Sequence, residues 1–269
     1  MVVAWRRPRT LAKRPAMTAR DDTVSFGFRE VPEADKARLV RGVFDSVAAK
    51  YDLMNDLMSG GIHRLWKDAM VHWLDPQPGM DFADIGGGTG DIAFRILDRL
   101  SGKGAPGSLA VIDINAEMLK AGQTRVGSDA ARAAIDWVCG DAEKLPLPDS
   151  SVDAYTIAFC IRNVTHIDRA LAEARRVLRP GGRFLCLEFS RVNVPVLDDL
   201  YESWSMRVLP EIGALVAGDR DSYRYLAESI RRFPDQKRFA GMISAAGLSQ
   251  VKVRDLSGGI AALHSAWRI

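Results

Sequence analysis

Four glycines occupy a span of five positions in the stretch FADIGGGTGDIAFRIL, residues 82–97. Such a cluster behind a short apolar run is typical of a turn that lets a ligand approach the backbone closely. From Gly86 to Gly90 it follows a dinucleotide fingerprint, but the sixth position is Asp91, where that fingerprint has glycine. An acid there disfavours a pyrophosphate and favours a cation. The loop therefore suits the amino-acid end of a ligand with an ammonium and a sulfonium, with Asp84 or Asp91 near the ammonium; the alternative is a turn that merely joins strand to helix.

Two further acids follow strand-like runs. Asp113 ends the strand in LAVIDINAEML, 23 residues after Gly90, near the spacing at which a carboxylate binds both hydroxyls of an adenosine ribose. Its alternative role is to cap the next helix together with Asn115. Asp141 and Ala142 follow the third strand, where an acid and a backbone amide suit an adenine edge, although Asp141 also fits a turn. The three sites support one another because they lie at successive strand ends.

The elements that must position these residues alternate between strand and helix patterns. We predict five strands, at 81–85, 108–112, 135–139, 153–159 and 183–189. Helical spacing between most of them implies a largely parallel sheet covered on both faces. Two strand-like runs near the C-terminus, SQVKVRDL and GIAALHSAWRI, predict an antiparallel hairpin that closes the sheet edge. The prediction is an α/β sheet of seven strands, mostly parallel, with one antiparallel strand near the C-terminus and helices on both faces.

Composition excludes several classes of protein. Of 269 residues, 47% are apolar and 26% charged, and no apolar run is long enough to span a bilayer. Residues 1–20 hold six cationic side chains and no acid, and the rest carries 31 basic against 34 acidic residues, so we expect no nucleic-acid partner. Cys139, Cys160 and Cys186 have no CxxC spacing, so we expect reduced core thiols, no disulfide and no metal site.

The N-terminal residues 1–25 are predicted to be a disordered extension. The Arg-rich segment 1–20 resembles an organellar presequence, yet it lacks the serines and the clear amphipathic face of one. A second start at Met17 is the other interpretation. Residues 26–269 are predicted to form a single domain, with an N-terminal helical cap at about 36–74 and an apolar insertion at about 194–233 that could hold a greasy ligand tail.

Several stretches resemble the ubiquinone/menaquinone biosynthesis C-methyltransferase family, which has the Rossmann-like class I methyltransferase fold. The most specific are KYDLMNDLMSGGIHRLWK (50–67) and RVLRPGGRFLCLEFS (176–190). The stretches FGFREV, IRNVT and DSYRYLAESIRRFPDQ also fit, so that the resemblance covers nearly everything from Phe26 onward. The chain departs from the family at Ala158-Phe159-Cys160, where members often have Ser-Phe-Gly and a serine hydroxyl is lost.

The resemblance implies transfer of a methyl group from S-adenosylmethionine to a ring carbon of a polyprenylated quinol. The acceptors it implies are 2-methoxy-6-polyprenyl-1,4-benzoquinol on the ubiquinone route and demethylmenaquinol on the menaquinone route. Cofactor-binding positions carried over from the family are Thr89, Asp113, Asp141 and Ala142, beside Gly86 of the turn. The alternatives are a methyltransferase for another lipid or small molecule and a non-catalytic subunit of a quinone-biosynthesis assembly.

Two residues are candidates for catalysis on the acceptor side. Arg162 follows the fourth strand, and because arginine stays protonated we expect it to stabilise charge or orient a water. His63 is the titratable candidate, since its stretch also brings Tyr51, Asp52 and Asn55 to the cap; a structural histidine packed on Trp66 is the alternative. A prenylated substrate implies a cytoplasmic protein that is peripheral at the inner membrane surface, as a homodimer or in a quinone-biosynthesis assembly.

Overall fold

The structure, a computed structural model, describes residues 23–47, 56, 59–192, 203–208, 210–212, 214 and 219–269. Its strands are β1 Thr23–Phe26, β2 Arg29–Pro32, β3 Asp81–Ile85, β4 Ser108–Asp113, β5 Asp136–Cys139, β6 Val152–Ala158, β7 Leu178–Phe189, β8 Ser249–Leu256 and β9 Ala261–Trp267. Its helices are α1 Glu33–Val47, α2 His63–Leu74, α3 Asp91–Leu100, α4 Ala116–Thr124, α5 Ala130–Ala133, α6 Ile167–Val177, α7 Arg220–Arg232 and α8 Gln236–Ala245.

Seven strands form one sheet in the order β5-β4-β3-β6-β7-β9-β8. The pairs from β5 through β7 are parallel, whereas β9 runs antiparallel to both β7 and β8. This confirms the predicted sheet, including the reversed strand near the C-terminus. Because β3 lies at the centre, its carboxyl end and the ends of β4 and β6 beside it open on the same edge, where open α/β sheets bind ligands.

Side chains from alternate strand positions build a core on each face of the sheet. On one face, Phe82 and Leu185 pack with the cap helix α2 and with α3 and α7. On the other, Ala83 and Phe184 pack with α6 and α8. Helices cover both faces as predicted, which explains why the central strands read as continuous apolar runs.

A short N-terminal hairpin is a feature that the sequence patterns did not predict. β1 pairs with β2 in antiparallel register, and Gly27 turns between them with φ +59°. Phe26 is buried and stacks on Tyr225 of α7 with 4.1 Å between the ring centroids. Residues 23–25, which the prediction assigned to the N-terminal extension, lie in β1; residues 1–22 lie outside the described part.

The cap and the insertion are described only in part. α1 and α2 supply helices where the cap was expected, but Tyr51, Asp52 and Asn55 lie outside the described residues. Within the predicted insertion the structure gives a π-helical turn at Trp204–Val208, and α7 covers its last part. Over the described ranges, every helix falls short of the length and apolarity that a bilayer crossing requires.

Candidate active site

One cleft lies over the carboxyl ends of β3, β4, β5 and β6, with about 1120 Å³ of empty space including its open mouth. The predicted cofactor-binding residues all line it: Gly86, Thr89, Asp113, Asp141 and Ala142. Ala37, Val40 and Arg41 of α1 line it as well, so the N-terminal cap forms part of its wall. The fold thus brings together residues as far as 128 positions apart in sequence, from Ala37 to Thr165.

The glycine turn is required by close approach of other groups. A Cβ on Gly86 would stand 2.1 Å from the Cys160 Sγ, and a Cβ on Gly90 would stand 2.6 Å from the Trp137 ring. Both residues also have positive φ, +59° and +78°, which side-chain-bearing residues adopt at a cost. The turn therefore packs directly against the loop after β6 and against β5, and its backbone lines the cleft.

Asp113 ends β4 and braces the glycine turn. One carboxylate oxygen accepts the Gly88 N–H at 2.9 Å and the other accepts the Asn115 N–H at 2.8 Å. Each oxygen keeps a free lone pair, so both can still accept ribose hydroxyls. Burial raises the pKa of this carboxyl to about 6, and the two backbone hydrogen bonds oppose that rise. The predicted helix cap is made by Asn115 itself, whose side chain accepts the N–H groups of Glu117 and Met118.

Asp84, the penultimate residue of β3, carries an unpaired acceptor. Its Oδ1 accepts the Thr156 hydroxyl at 2.8 Å, whereas Oδ2 has no hydrogen-bond partner among the described residues. The residue is 1% exposed and lines the cleft. Burial raises its pKa to about 7. A buried acceptor of this kind is costly unless a donor reaches it, so it fits the ammonium of a bound ligand.

Asp91, the other predicted partner of the ammonium, is already paired. Lys67 Nζ of the cap helix α2 donates to its Oδ2 at 2.7 Å, and Arg95 Nε lies 3.6 Å from Oδ1. Lys67 foremost, with Arg95 and Arg125, holds the pKa of this carboxyl below its usual range in spite of its burial. Of the two acids proposed for the ammonium, Asp84 is the one whose geometry fits.

The remaining predicted contacts have local partners too. Arg125 Nη1 donates to the Thr89 Oγ1 at 2.7 Å, which ties the end of the glycine turn to the segment after α4. The Asp141 Oδ1 accepts the Glu143 N–H at 2.9 Å, so this acid does close a turn, as its alternative role required. Asp141 is exposed and Ala142 half-buried at the cleft. The second Asp141 oxygen and the backbone of Ala142 stay compatible with an adenine edge.

Arg162 lies away from the cleft. It sits in a one-turn 3₁₀ helix, Ile161–Asn163, and its Nη1 donates to the Glu188 Oε1 at 2.7 Å and to the Phe159 carbonyl at 2.8 Å. Both charged side chains are 1% exposed. A direct contact with an acceptor would require this pair to open, so the geometry supports positioning of the turn; a role in turnover stays a prediction.

His63 also lies away from the cleft. Its Nε2 is 2.9 Å from the Asp56 Oδ1, and its Nδ1 has no hydrogen-bond partner among the described residues. The residue is 1% exposed, and burial together with the Lys67 charge lowers its pKa, so the ring is neutral near pH 7. The contacts favour the structural alternative; a role as base stays a prediction that requires the ring to turn into the cleft.

Two cleft residues were missed by sequence reasoning. Lys67 was missed because a lysine in an amphipathic helix is usually solvated. Asn163 was passed over beside Arg162; its Oδ1 accepts the Tyr225 hydroxyl at 3.1 Å, and its Nδ2 has no partner among the described residues. The IRNVT stretch carried the signal for Asn163. The cysteine prediction needs one correction: Cys186 is buried and Cys160 lines the cleft, but Cys139 is exposed.

The donors and acceptors at the cleft fit S-adenosylmethionine. Asp113 can hold the ribose, the Asp84 Oδ2 can hold the ammonium, and the glycine turn leaves room for the sulfur-bearing chain.

Solved structures share the fold. A SAM-dependent methyltransferase of Thermotoga maritima aligns with TM-score 0.61 at 19% identity, covering 86% of this chain and all of that one. Another from Aquifex aeolicus aligns with TM-score 0.56 at 16% identity, over 80% and 97%. The protein has the fold of the class I S-adenosylmethionine-dependent methyltransferases.

Sequence comparison places it more narrowly. The model of the ubiE/COQ5 methyltransferase family matches residues 32–268. A protein of Brucella suis biovar 1 (strain 1330) is 56% identical over 247 residues, 91% of each chain. One of Paracoccus denitrificans (strain Pd 1222) is 57% identical over 245 residues, 91% of this chain and 96% of that one. Both are named ubiquinone/menaquinone biosynthesis C-methyltransferase UbiE. This chain belongs to the ubiE/COQ5 methyltransferase family.

Cofactor affinity should rise with pH. In the free protein the carboxyls of Asp84 and Asp113 hold protons below pKa values of about 7 and about 6. Both must ionise to accept donors from the ligand, so binding releases protons at lower pH and tightens from roughly pH 5 to 7.5. Titration calorimetry in buffers of different ionisation enthalpy counts those protons. Asp84→Asn should remove the proton release near pH 7 and keep the release near pH 6. An affinity that does not change between pH 5 and pH 7.5 would contradict the assignment.

Proposed function

We propose that the protein methylates a ring carbon of a polyprenylated quinol. The preferred acceptor is 2-methoxy-6-polyprenyl-1,4-benzoquinol, with demethylmenaquinol as an accepted alternative. The observation that carries the proposal is the family match over residues 32–268, joined to a cleft whose strand-end acids suit the methyl donor. The relatives' shared name covers both quinone routes. The apolar insertion predicted at about 194–233 would recognise the prenyl tail that both acceptors share better than it would recognise the ring.

Alignment and exclusion of water are the tasks of this chain's residues. When bound, S-adenosylmethionine supplies a methyl group already activated on its sulfonium. Asp113 and Asp84 fix the two ends of the donor, and the glycine turn sets its depth in the cleft. The α1 cap, through Ala37 and Val40, covers the cleft and keeps water from the methyl group.

The ring oxygen next to the reacting carbon needs a partner that favours its ionised form. A quinol carbon becomes a better nucleophile as that oxygen loses its proton, so a nearby donor lowers the barrier. Among the described residues, the Asn163 Nδ2 is a free donor at the cleft wall, and the Tyr225 hydroxyl holds its amide in place. Arg162 lies in the same 3₁₀ turn as Asn163, and its hydrogen bond to Glu188 fixes that turn on the side away from the cleft.

The acceptor's tail favours work at a membrane surface. A prenylated quinol resides in the bilayer, and two apolar side chains at the start of α2 are exposed: Ile62, the residue before the helix, at 41% and Leu65 in its first turn at 66%. Arg64 lies between them and is exposed, which suits an anionic lipid surface. We include docking of this face on the membrane in the proposal.

The test is methyl transfer from labelled S-adenosylmethionine to both reduced acceptors, followed by mass spectrometry of the quinones. We expect label on a ring carbon of the benzoquinol and, more slowly, of demethylmenaquinol. Label on neither ring, with cofactor binding confirmed by calorimetry, would reject the proposal in favour of a non-catalytic subunit. For acceptors with long prenyl tails, the methylation rate should be higher when the acceptor is presented in liposomes than when it is not. Equal rates with and without liposomes, together with no binding of the protein to liposomes, would count against membrane docking.

A further inference from the structure

Two opposite charges lie beside the glycine turn and come from different parts of the fold. Lys67 belongs to the cap helix α2, its side chain is 5% exposed, and it lines the cleft. Asp84 belongs to the central strand β3, and its unpaired Oδ2 would stand 2.7 Å from a Cβ on Gly87. The Lys67 charge is near enough to act on the pKa of the Asp84 carboxyl. A buried cation and a buried anion thus share one end of the cleft.

Lys67 has more donors than the described protein uses. An ammonium carries three N–H donors, and the described residues give it one hydrogen bond, to the Asp91 Oδ2 at 2.7 Å. A buried ammonium left with unused donors is costly, so a further acceptor is expected in the cleft. Lysine side chains are rarely buried to this extent unless the ammonium has partners.

Asp91 does not depend on Lys67 alone. Arg95 Nε and Arg125 Nη2 lie 3.6 Å and 4.0 Å from its Oδ1, so two other cations face the same carboxylate. The Asp91 carboxylate therefore compensates only part of the Lys67 charge, because it also pairs with Arg95 and Arg125. What the arrangement presents to the cleft is an acceptor on the sheet side and a cation on the cap side.

A free amino-acid group matches this pair of charges, since its ammonium and carboxylate are attached to one carbon. We infer that Lys67 binds the α-carboxylate of S-adenosylmethionine while Asp84 binds its ammonium, so that the cap helix itself recognises the amino-acid end of the donor. The inference rests on S-adenosylmethionine as donor and is independent of which quinol accepts the methyl group. A bound donor would then add a link between α2 and the sheet on which it already packs.

Ligands that differ at the amino-acid end test the inference by calorimetry. S-Adenosylhomocysteine keeps the carboxylate, and 5′-methylthioadenosine lacks the whole amino-acid group. Lys67→Met should weaken S-adenosylhomocysteine about 10- to 100-fold and leave 5′-methylthioadenosine within about twofold. Decarboxylated S-adenosylmethionine, which keeps ammonium and sulfonium, should bind the variant at least as well as it binds the natural protein. Lys67→Arg should recover most of the lost affinity.

Control variants separate this role from a purely structural ion pair. Lys120→Met removes an exposed lysine paired with Glu117 on α4 and should change no affinity. If Lys67 served only to pin the cap to Asp91, Asp91→Asn would weaken all ligands as Lys67→Met does. We expect instead that Asp91→Asn keeps S-adenosylhomocysteine affinity, because it frees the Lys67 charge. Equal weakening of both probe ligands by Lys67→Met, or no weakening, would overturn the inference; thermal melting without ligand reports whether each variant is folded.

Discussion

Replacement of Arg162 by methionine is expected to destabilise the protein by about 3–5 kcal/mol, because it leaves a buried carboxylate without its counter-charge. Arg162 and Glu188 are each 1% exposed, with 2.7 Å between Nη1 and Oε1, so solvent does not screen the pair. The loss should appear as a lower free energy of unfolding in denaturant titration. It should shrink as pH falls through the pKa of Glu188, which burial raises above the ordinary 4.5 and which loss of Arg162 raises further, because a protonated Glu188 needs no counter-charge.

A double variant gives the matched control. Glu188→Gln removes the charge while keeping an oxygen for the Phe189 N–H, which Glu188 Oε1 accepts at 2.9 Å. Combined with Arg162→Met it should cost clearly less than the sum of the single variants. Additive losses would show that the two side chains are not coupled.

Arg162→Lys keeps the charge but not the planar fork, so we expect slower turnover through a misplaced Asn163, with cofactor affinity little changed.

The strand-end acids could be predicted from sequence because a general rule connects them. A strand, a tight turn and a helix place the residues at the strand's carboxyl end on the ligand-binding edge, whatever the side chains of the core. Asp84, Asp113 and Asp141 follow this rule, and each lines the cleft. The four glycines of the turn at 86–90 were predictable for the same reason, since a Cβ on any of them would stand 3.0 Å or less from a neighbouring atom.

Arg162 and His63 show where that rule ends. It places a residue near the edge but does not give the direction of its side chain. In the 3₁₀ turn Ile161–Asn163, Arg162 points to Glu188 on β7 while its neighbour Asn163 faces the cleft, a difference that depends on contacts 26 positions away. His63 turns to Asp56 for a similar reason. Lys67 was hidden because only the docked cap brings it to Asp91.

The hairpin at the N-terminus had too little pattern to be seen. Its strands are four residues each, and Phe26 is the only residue of β1 that is fully buried. What stabilises it is the stacking of Phe26 on Tyr225 and the N–H of Phe28 donating to the Glu228 carboxylate at 2.9 Å, both on α7. Contacts between residues about two hundred positions apart in sequence leave no local periodicity in the sequence.

Replacement of Asp113 by alanine should weaken S-adenosylmethionine binding by roughly 2–4 kcal/mol, or about 30- to 1000-fold in Kd. The carboxylate is held by the N–H groups of Gly88 and Asn115, so its open lone pairs face the cleft with fixed direction. Calorimetry measures the loss, and Asp136→Ala, an exposed acid on neighbouring β5, should show none.

Part of that loss would come from a loosened glycine turn, because Asp113→Ala also frees the Gly88 N–H. A ligand that lacks one of the two ribose hydroxyls separates the two contributions. In the natural protein, 2′-deoxy-S-adenosylhomocysteine should bind more weakly than S-adenosylhomocysteine, since a charge-assisted hydrogen bond is lost. In Asp113→Ala the two ligands should bind alike, because the hydroxyl no longer meets a carboxylate. If the deoxy ligand is penalised equally in both proteins, Asp113 supports the turn and does not contact the ribose.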